Sequence, residues 1–328
     1  MTTQKPPPGR AKSPTNGAQK LRPVETTAEK SAVTAPVTLI PWEPLEEAKT
    51  IDDVVRNFDQ VIDWAIRAES TVGYFAILYK RSTVAVHEAL KQGKFTNPQR
   101  MQKFDVVFAQ RYFDALNAYF MPDVYPGLTL PWEVAFVGHE DGKTTIIQQM
   151  MTGLNAHICF DLGLAAVEVA ANDLDAMKHD FDYINELVAL QVPGMLRKLI
   201  EISPEVVWLR RALPAETDVI KGVLTRFRDG SWLFAIHLAM FPDTTKEKIV
   251  NHQAWTAALG AWYLEPPKRT PFHILIWFIK RREKRNIGRN LRLLRGVADE
   301  PRMTAERGLP VVTEVTRAAA ALSRIRPI

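Results

Sequence analysis

Gly153-Leu-Asn155-Ala-His157-Ile-Cys159-Phe-Asp161-Leu-Gly163-Leu-Ala-Ala-Val-Glu168-Val-Ala-Ala171 reads as a helix with almost no wet face. A helix that is apolar all round belongs in the middle of a protein, and charge inside a protein is costly unless it is paired or hydrogen-bonded. Yet His157, Asp161 and Glu168 follow one another at spacings of four and seven, which stacks them in one stripe of an α-helix. Such a stripe must meet a partner side chain, a metal, a water or a substrate.

Working outward, helix signals follow with short breaks. Thr50 and Asp53 predict a capping box for a helix to about Ala68, and a second helix runs from Ser70 to Lys91, closed near Gly93. Asn97-Pro98 places a cap and an N1 proline before a helix to Phe120. Residues 121–143, with Pro122, Pro126, Gly127, Pro131, Gly138 and Gly142, read as an irregular loop. The central helix spans about Thr145 to Ala171. Asn172 and Asp173 cap a further helix to about Gln191, which Pro193 ends.

Shorter pieces over residues 193–211 lead to a long helix from Glu216 to Met240. Another starts at Thr244 or Thr245 and stops before Pro266-Pro267, and a last helix runs from Pro271 into a basic stretch. Sustained period-two alternation is missing, so the expected fold class is all-α, a single multi-helix bundle-like domain over residues 43–296. A disordered tail (1–42) and a C-terminal tail (297–328) flank it. The first forty residues, rich in Pro, Thr, Lys and Ala, cannot bury enough surface to offset their ordering entropy.

Charge narrows the partners. The net charge is +5, but residues 280–295 carry eight basic residues and one acid, a local +7 that leaves −2 for the rest. The body is therefore no nucleic-acid binder, and any attraction to phosphates lies in that segment. The single cysteine, Cys159, excludes an internal disulfide and reads as a buried, inert thiol. Without a signal-like apolar core, the expected location is the cytoplasm. The apolar run 272–279 is too short to cross a bilayer.

Helix register sorts the polar candidates. Asp105 shares the apolar face of Phe108 and Tyr112, an unusual place for a carboxylate. Arg111 and Asp114 sit on another side as a surface ion pair. His179, with Asp175, Asp182 and Glu186, lies opposite the stripe Met177, Phe181, Ile184 and Val188 and reads as a solvated face. Asp180 and Asn185 flank that stripe, and Asn185 is favoured for the interior because an amide carries no ionisation cost. His237, in apolar company, reads as a hydrogen-bonded core residue, and His252 as local structure. His87 and His139 have no supporting neighbours.

Several blocks then agree, in order, with a known family. Gly153-Leu-Asn155-Ala-His157 and Asp161-Leu-Gly163 resemble a G-M-N-A-H-I-N-x-D-L-G block of a mainly bacterial family catalogued as a domain of unknown function. Ile62-Asp63-Trp64, Gly73-Tyr74-Phe75 and Tyr79-Lys80-Arg81 are similar to that family's first helical pair. Phe104-Asp105 through Asp114-Ala115-Leu116 is similar to its D-V-V-F-A-N-R-Y-L-D-A-L segment, and Asp180-Phe181 with Ile184-Asn185 to its D-F-x-x-I-N block. The resemblance covers about residues 50–190. It implies a shared helical fold and inward roles for Asn155, His157, Asp161, Asp105 and Asn185, and no activity. Cys159 and Gln110 stand where the family pattern has asparagine.

The chain lacks phosphate-cradling glycine loops, dinucleotide fingerprints, nucleophile elbows and zinc motifs. The function expected is therefore a cofactor-independent enzyme on a small, largely apolar metabolite, of the acid–base cyclase or isomerase type. Natural-product cyclisation, including Diels–Alder-type closure, belongs to this class. His157, Asp161 and Asp105 are its candidate catalytic residues. Asn155, Tyr112, Asn185, Glu168 and Tyr79 are its candidate substrate contacts. One alternative is a metal-dependent hydrolase with His157 and Asp161 as ligands, against which stands the missing second histidine on a dry face. The other is a non-enzymatic module resting weakly on a membrane through residues 272–295.

Overall fold

A computed structural model describes residues 38, 40–138, 144–170, 173–204, 206, 216–283 and 286–303, and among these every regular element is a helix. His139, Asn172 and most of the two expected tails lie outside the described residues.

The first three helices follow their sequence signals. Helix α1 (Ile51–Ala68) opens on the Thr50–Asp53 capping box, α2 (Val72–Lys91) follows a left-handed Glu69, and α3 (Pro98–Phe120) opens on the Asn97 cap. Gly73 lets α2 cross α1 and the last helix closely, since a Cβ there would fall 2.8 Å from that of Ala65 and 2.9 Å from Leu291. Packing begins at Trp42, just before the expected domain boundary at residue 43. Trp42 is buried against Trp64 and Phe120, and Asn117 accepts from the Trp42 indole and the Leu45 amide. An indole with a partner for its N–H buries readily.

Within the expected loop lies a helix, α4 (Leu130–Val137). Pro131 occupies its first turn, where a missing N–H costs nothing, so the proline marked a start rather than a break. Helix α5 (Ile146–Leu154) and helix α6 (Leu162–Ala170) are continuous through a π-helical segment at Asn155–Asp161. Together they form the one described helix long and apolar enough to cross a membrane, with 72% of its apolar window buried in this fold.

Helix α7 (Asp175–Ile202) runs through Pro193 instead of ending before it. Proline inside a helix costs about 3 kcal/mol; burial of Met195, Leu199 and Ile202 beyond it offsets that cost. Helices α8 (Glu216–Met240) and α9 (Thr245–Leu264) match expectation. The basic stretch does not continue one helix. It separates α10 (Pro271–Arg282) from α11 (Ile287–Ala298), because Asn286 caps a new start by accepting from the Arg289 amide.

Helix α11 packs on α1, α2 and α7, with Leu291, Leu294 and Ala298 fully buried. Buried Lys80 of α2 donates to Asp59 and Asp299, Arg81 donates to the Val297 carbonyl, and Gln191 of α7 is tied to Arg302 in both directions. Ordered packing thus extends past residue 296, into the expected C-terminal tail. The central helix lies among α2, α3, α4, α8 and α9.

Candidate functional site

The candidate site is built on the π-helical turn. There the Leu162 N–H reaches back five residues to the His157 carbonyl, which widens the turn and leaves neighbouring carbonyls in need of outside donors. Two helices supply them. Ser231 of α8 donates to the Ile158 carbonyl, and His252 of α9 donates from Nε2 to the Cys159 carbonyl at 2.7 Å while stacking on Phe234. Gly163 makes the approach of α8 fit, since a Cβ there would lie 2.8 Å from both the Ser231 carbonyl oxygen and the Phe234 ring. On the other side Gly153 admits the Phe75 ring, 2.5 Å from where a Cβ would stand. Asn155 donates to the Thr256 carbonyl of α9 at 2.7 Å.

His157 lies inside an aromatic cage. Its ring stacks on Phe108 at 3.5 Å with an 11° tilt, and lies 4.1 Å from the Tyr79 ring and 5.8 Å from Phe75. Asp161 is held by the Trp132 indole, which donates to Oδ2 at 2.6 Å. The same oxygen stands 3.9 Å from His157 Nδ1, beyond hydrogen-bond reach. Asp105 and Tyr112 of α3 are buried on the face that carries Phe108.

Of the buried side-chain atoms without a hydrogen-bond partner among the described residues, seven belong to five side chains of this interior: both ring nitrogens of His157, the hydroxyls of Tyr79 and Tyr112, Asp105 Oδ2, and Nε and Nη2 of Arg228. Native proteins satisfy nearly all buried polar atoms, and each exception calls for an explanation. Nothing in the sequence marks Arg228, since α8 reads as an apolar helix with scattered charges. It stands one turn before Ser231 on α8, its guanidinium 4.6 Å above the Phe181 ring.

Burial governs the proton affinities. It pushes the Asp105 carboxyl up to about 7, and Asp161 also to about 7 against the lowering effect of the Trp132 N–H. Burial, with the Arg228 charge as a smaller cause, holds His157 well below its ordinary value. Burial and the nearby Asp105 and Asp161 hold the Tyr79 hydroxyl well above its own, and burial alone raises Tyr112. The interior therefore combines a neutral imidazole, two carboxyls that titrate near neutrality and two un-ionised phenols. Cys159, raised to about 12 by burial, stays a thiol.

Other expected residues take different places. Glu168 is not in the buried stripe: two turns beyond Asp161 the helix face emerges, and Glu168 is half-exposed, accepting from Arg111 at 2.6 Å. Arg111 therefore pairs with Glu168 rather than Asp114, which accepts from Gln110. Asn155 is tied to Thr256, although its Oδ1 has no partner. Asn185 is half-buried with Oδ1 unpartnered, and has no described hydrogen bond to the His157 group. Asp180 caps α3 by accepting from the Thr96 and Asn97 amides. His237 is exposed, not a core residue, because α8 turns that face outward near its end. His179 is exposed, as its register requires.

Among the described residues no three His, Cys, Asp or Glu side chains stand together as a metal site, so the His157–Asp161 pair finds no third ligand. A surface cleft of about 480 Å³ between α1 and α11, lined by Asp63, Ile66, Arg67, Arg292 and Arg295, uses none of these site residues. Residues 51–266 match the family of unknown function DUF5995. No curated protein and no solved structure matches the chain.

Proposed function

The chain belongs to the DUF5995 family, and because that family carries no assigned activity we propose, from the site alone, that the protein is an acid–base enzyme acting on a small, largely apolar molecule. The reaction class is isomerisation or cyclisation, in which a proton leaves one atom of the substrate and returns to another. What carries the reading is where seven unpartnered buried atoms belong: to His157, to Tyr79 against its ring, to Tyr112 beside Tyr79, and to Asp105 and Arg228, whose charges bear on Tyr79. Each such atom left unmatched costs about 1–3 kcal/mol, and a substrate with polar atoms in the right places would repay that in binding.

The roles follow from the chemistry. His157, neutral and free at both nitrogens, takes the proton. Asp161, fixed by Trp132, stabilises the imidazolium once a substrate draws the pair together; catalytic hydrogen bonds are commonly long in unliganded sites. Tyr79, Tyr112 and protonated Asp105 donate to developing negative charge on the substrate, in a dry interior where such bonds are strong. Phe75, Phe108 and Trp132 shape the apolar wall. No cofactor enters these steps. The site is closed over by side chains, so admission of substrate requires a covering helix to move.

The test uses a metabolite library incubated with the pure protein, with conversion read by mass spectrometry. His157→Ala is expected to abolish any conversion while helical circular dichroism persists. His157→Phe keeps the stack on Phe108 and is expected to be equally inactive but well folded. Conversion that survives His157→Phe would sink the acid–base role.

A further inference from the structure

Arg228 is fully buried, its Nε and Nη2 have no acceptor in the protein, and it forms no ion pair among the described residues. Asp182, whose charge bears most on it, is engaged by Lys178 through both oxygens at 2.5 Å, and Asp229 on the same helix is exposed. An uncompensated buried cation is among the most destabilising features a fold can carry. A chain of ring contacts leads from it to the site: its guanidinium over Phe181, Phe181 near Phe104, Phe104 stacked on Phe108, and Phe108 on His157. Ser231, one turn further along α8, bonds the carbonyl next to His157.

We propose that Arg228 is an anion receptor, and that the molecule bound beside His157 carries a carboxylate held by Arg228 on an apolar body lying against Tyr79, Phe108 and Phe181. A guanidinium presents a planar fork of donors that matches a carboxylate. One cation in a dry site suits a monoanion; a phosphate dianion would need a second. This inference rests on the site reading above but not on its acid–base chemistry.

The test is calorimetric titration of the full chain with decanoate and with decan-1-ol, and with 4-phenylbutyrate and its alcohol. The wild type is expected to prefer each carboxylate to its alcohol by about tenfold or more. Arg228→Met, similar in length and uncharged, is expected to erase that preference and to melt higher without ligand, which a structural arginine would not do. Equal binding of acid and alcohol by the wild type overturns the proposal. So does an Arg228→Met protein that melts lower and keeps the preference. The titration reads binding and not conversion, so a failure of the catalytic reading leaves this result standing.

A second observation is independent. Residues 249–264 of α9 contain no charged side chain, yet its outer face is exposed, with Trp255 at 78%. Residues 272–279 of α10 are all uncharged and mostly apolar, but only Ile276 and Ile279 are buried, while Ile274 and Trp277 are 59% and 54% exposed. Trp262 stacks on Phe272 at 5.2 Å and joins the two faces. Lys268, Arg269, Lys280, Arg281 and Arg282 border them, with Arg281 over Trp277. We infer that this face rests on an anionic lipid surface, where indoles sit at headgroup level and cations meet lipid phosphates. A second copy seated there would set the cationic border against itself.

Sedimentation of the full chain with phosphatidylcholine vesicles, with and without phosphatidylserine, tests it. Binding should require phosphatidylserine, fade at high salt, and weaken about tenfold in Trp255→Glu, whose exposed position leaves the fold unchanged. Absence of binding at low salt overturns the inference, as does a dimer in ultracentrifugation that Trp255→Glu dissociates.

Discussion

At the scale of the residue, Asp161 shows how burial sets chemistry. Its carboxyl is raised from 3.8 to about 7, so the proton is held more tightly in the folded state than in the unfolded. For a carboxyl shifted upward, the contribution to stability is whole below pH 4 and is lost as pH rises towards 7, after which it stays constant. Asp161→Asn keeps an acceptor for the Trp132 indole but cannot ionise. The variant is therefore expected to be more stable than the wild type at pH 8, by on the order of 2–4 kcal/mol, and to lose this advantage near pH 4. Urea unfolding at the two pH values measures this; an advantage equal at both would refute it. His157 has the opposite sign: lowered by burial, it favours folding above its unfolded value of about 6.5 and costs stability as pH falls below it. Its replacement by phenylalanine is expected to flatten the acid side of the stability profile. The dry stripe was legible as a spacing of polar residues in apolar surroundings. Arg228 was not, because nothing local tells a buried arginine from a solvated one on the same helix.

At the scale of the element, the central helix owes its shape to its neighbours. The π-helical turn is held open by groups distant in sequence, Ser231 and His252, which take up the Ile158 and Cys159 carbonyls. Ser231→Ala leaves a buried carbonyl without its donor and is expected to cost about 1–3 kcal/mol. Gly163→Ala presses a methyl group onto the Ser231 backbone at 2.8 Å, where no side chain can swing aside, and is expected to cost about 1–3 kcal/mol. Thermal melts monitored by circular dichroism check both. The resemblance block takes on physical content here: Gly153 admits Phe75, Asn155 holds α9, His157 and Asp161 face the cage, and Gly163 admits α8. Periodicity located these helices and the stripe, but not the point where the stripe leaves the interior, which is why Glu168, two turns beyond Asp161, is exposed. Proline alone does not mark a helix boundary, since Pro131 lies in the first turn of one helix and Pro193 within another.

Over the whole molecule, closure depends on α11, which lies beyond the family match at residues 51–266. Lys80 is 3% exposed, between Asp59 and Asp299. Removing residues 296–328 deprives Lys80 of Asp299 and Arg81 of the Val297 carbonyl, and exposes the apolar bed of Ala298. Stripping partners from buried charges costs about 3–5 kcal/mol, so this truncated chain is expected to melt far below the full one. If its melting point is unchanged, the clasp is not part of the fold's stability.

What the sequence determined by itself was whatever local chemistry decides: an all-helical chain, the capped starts of α1 and α3, the bounds of α8 and α9, and a polar stripe that could not be idle in an apolar helix. The tertiary structure alone decided which polar groups share an interior, since Asp105, His157 and Arg228 come from three helices separated by 52 and 71 positions. It also decided where the central helix departs from α geometry, because the donors that make the departure affordable come from α8 and α9. Period and capping are properties of neighbours along the chain; desolvation and hydrogen-bond satisfaction depend on what the fold brings alongside.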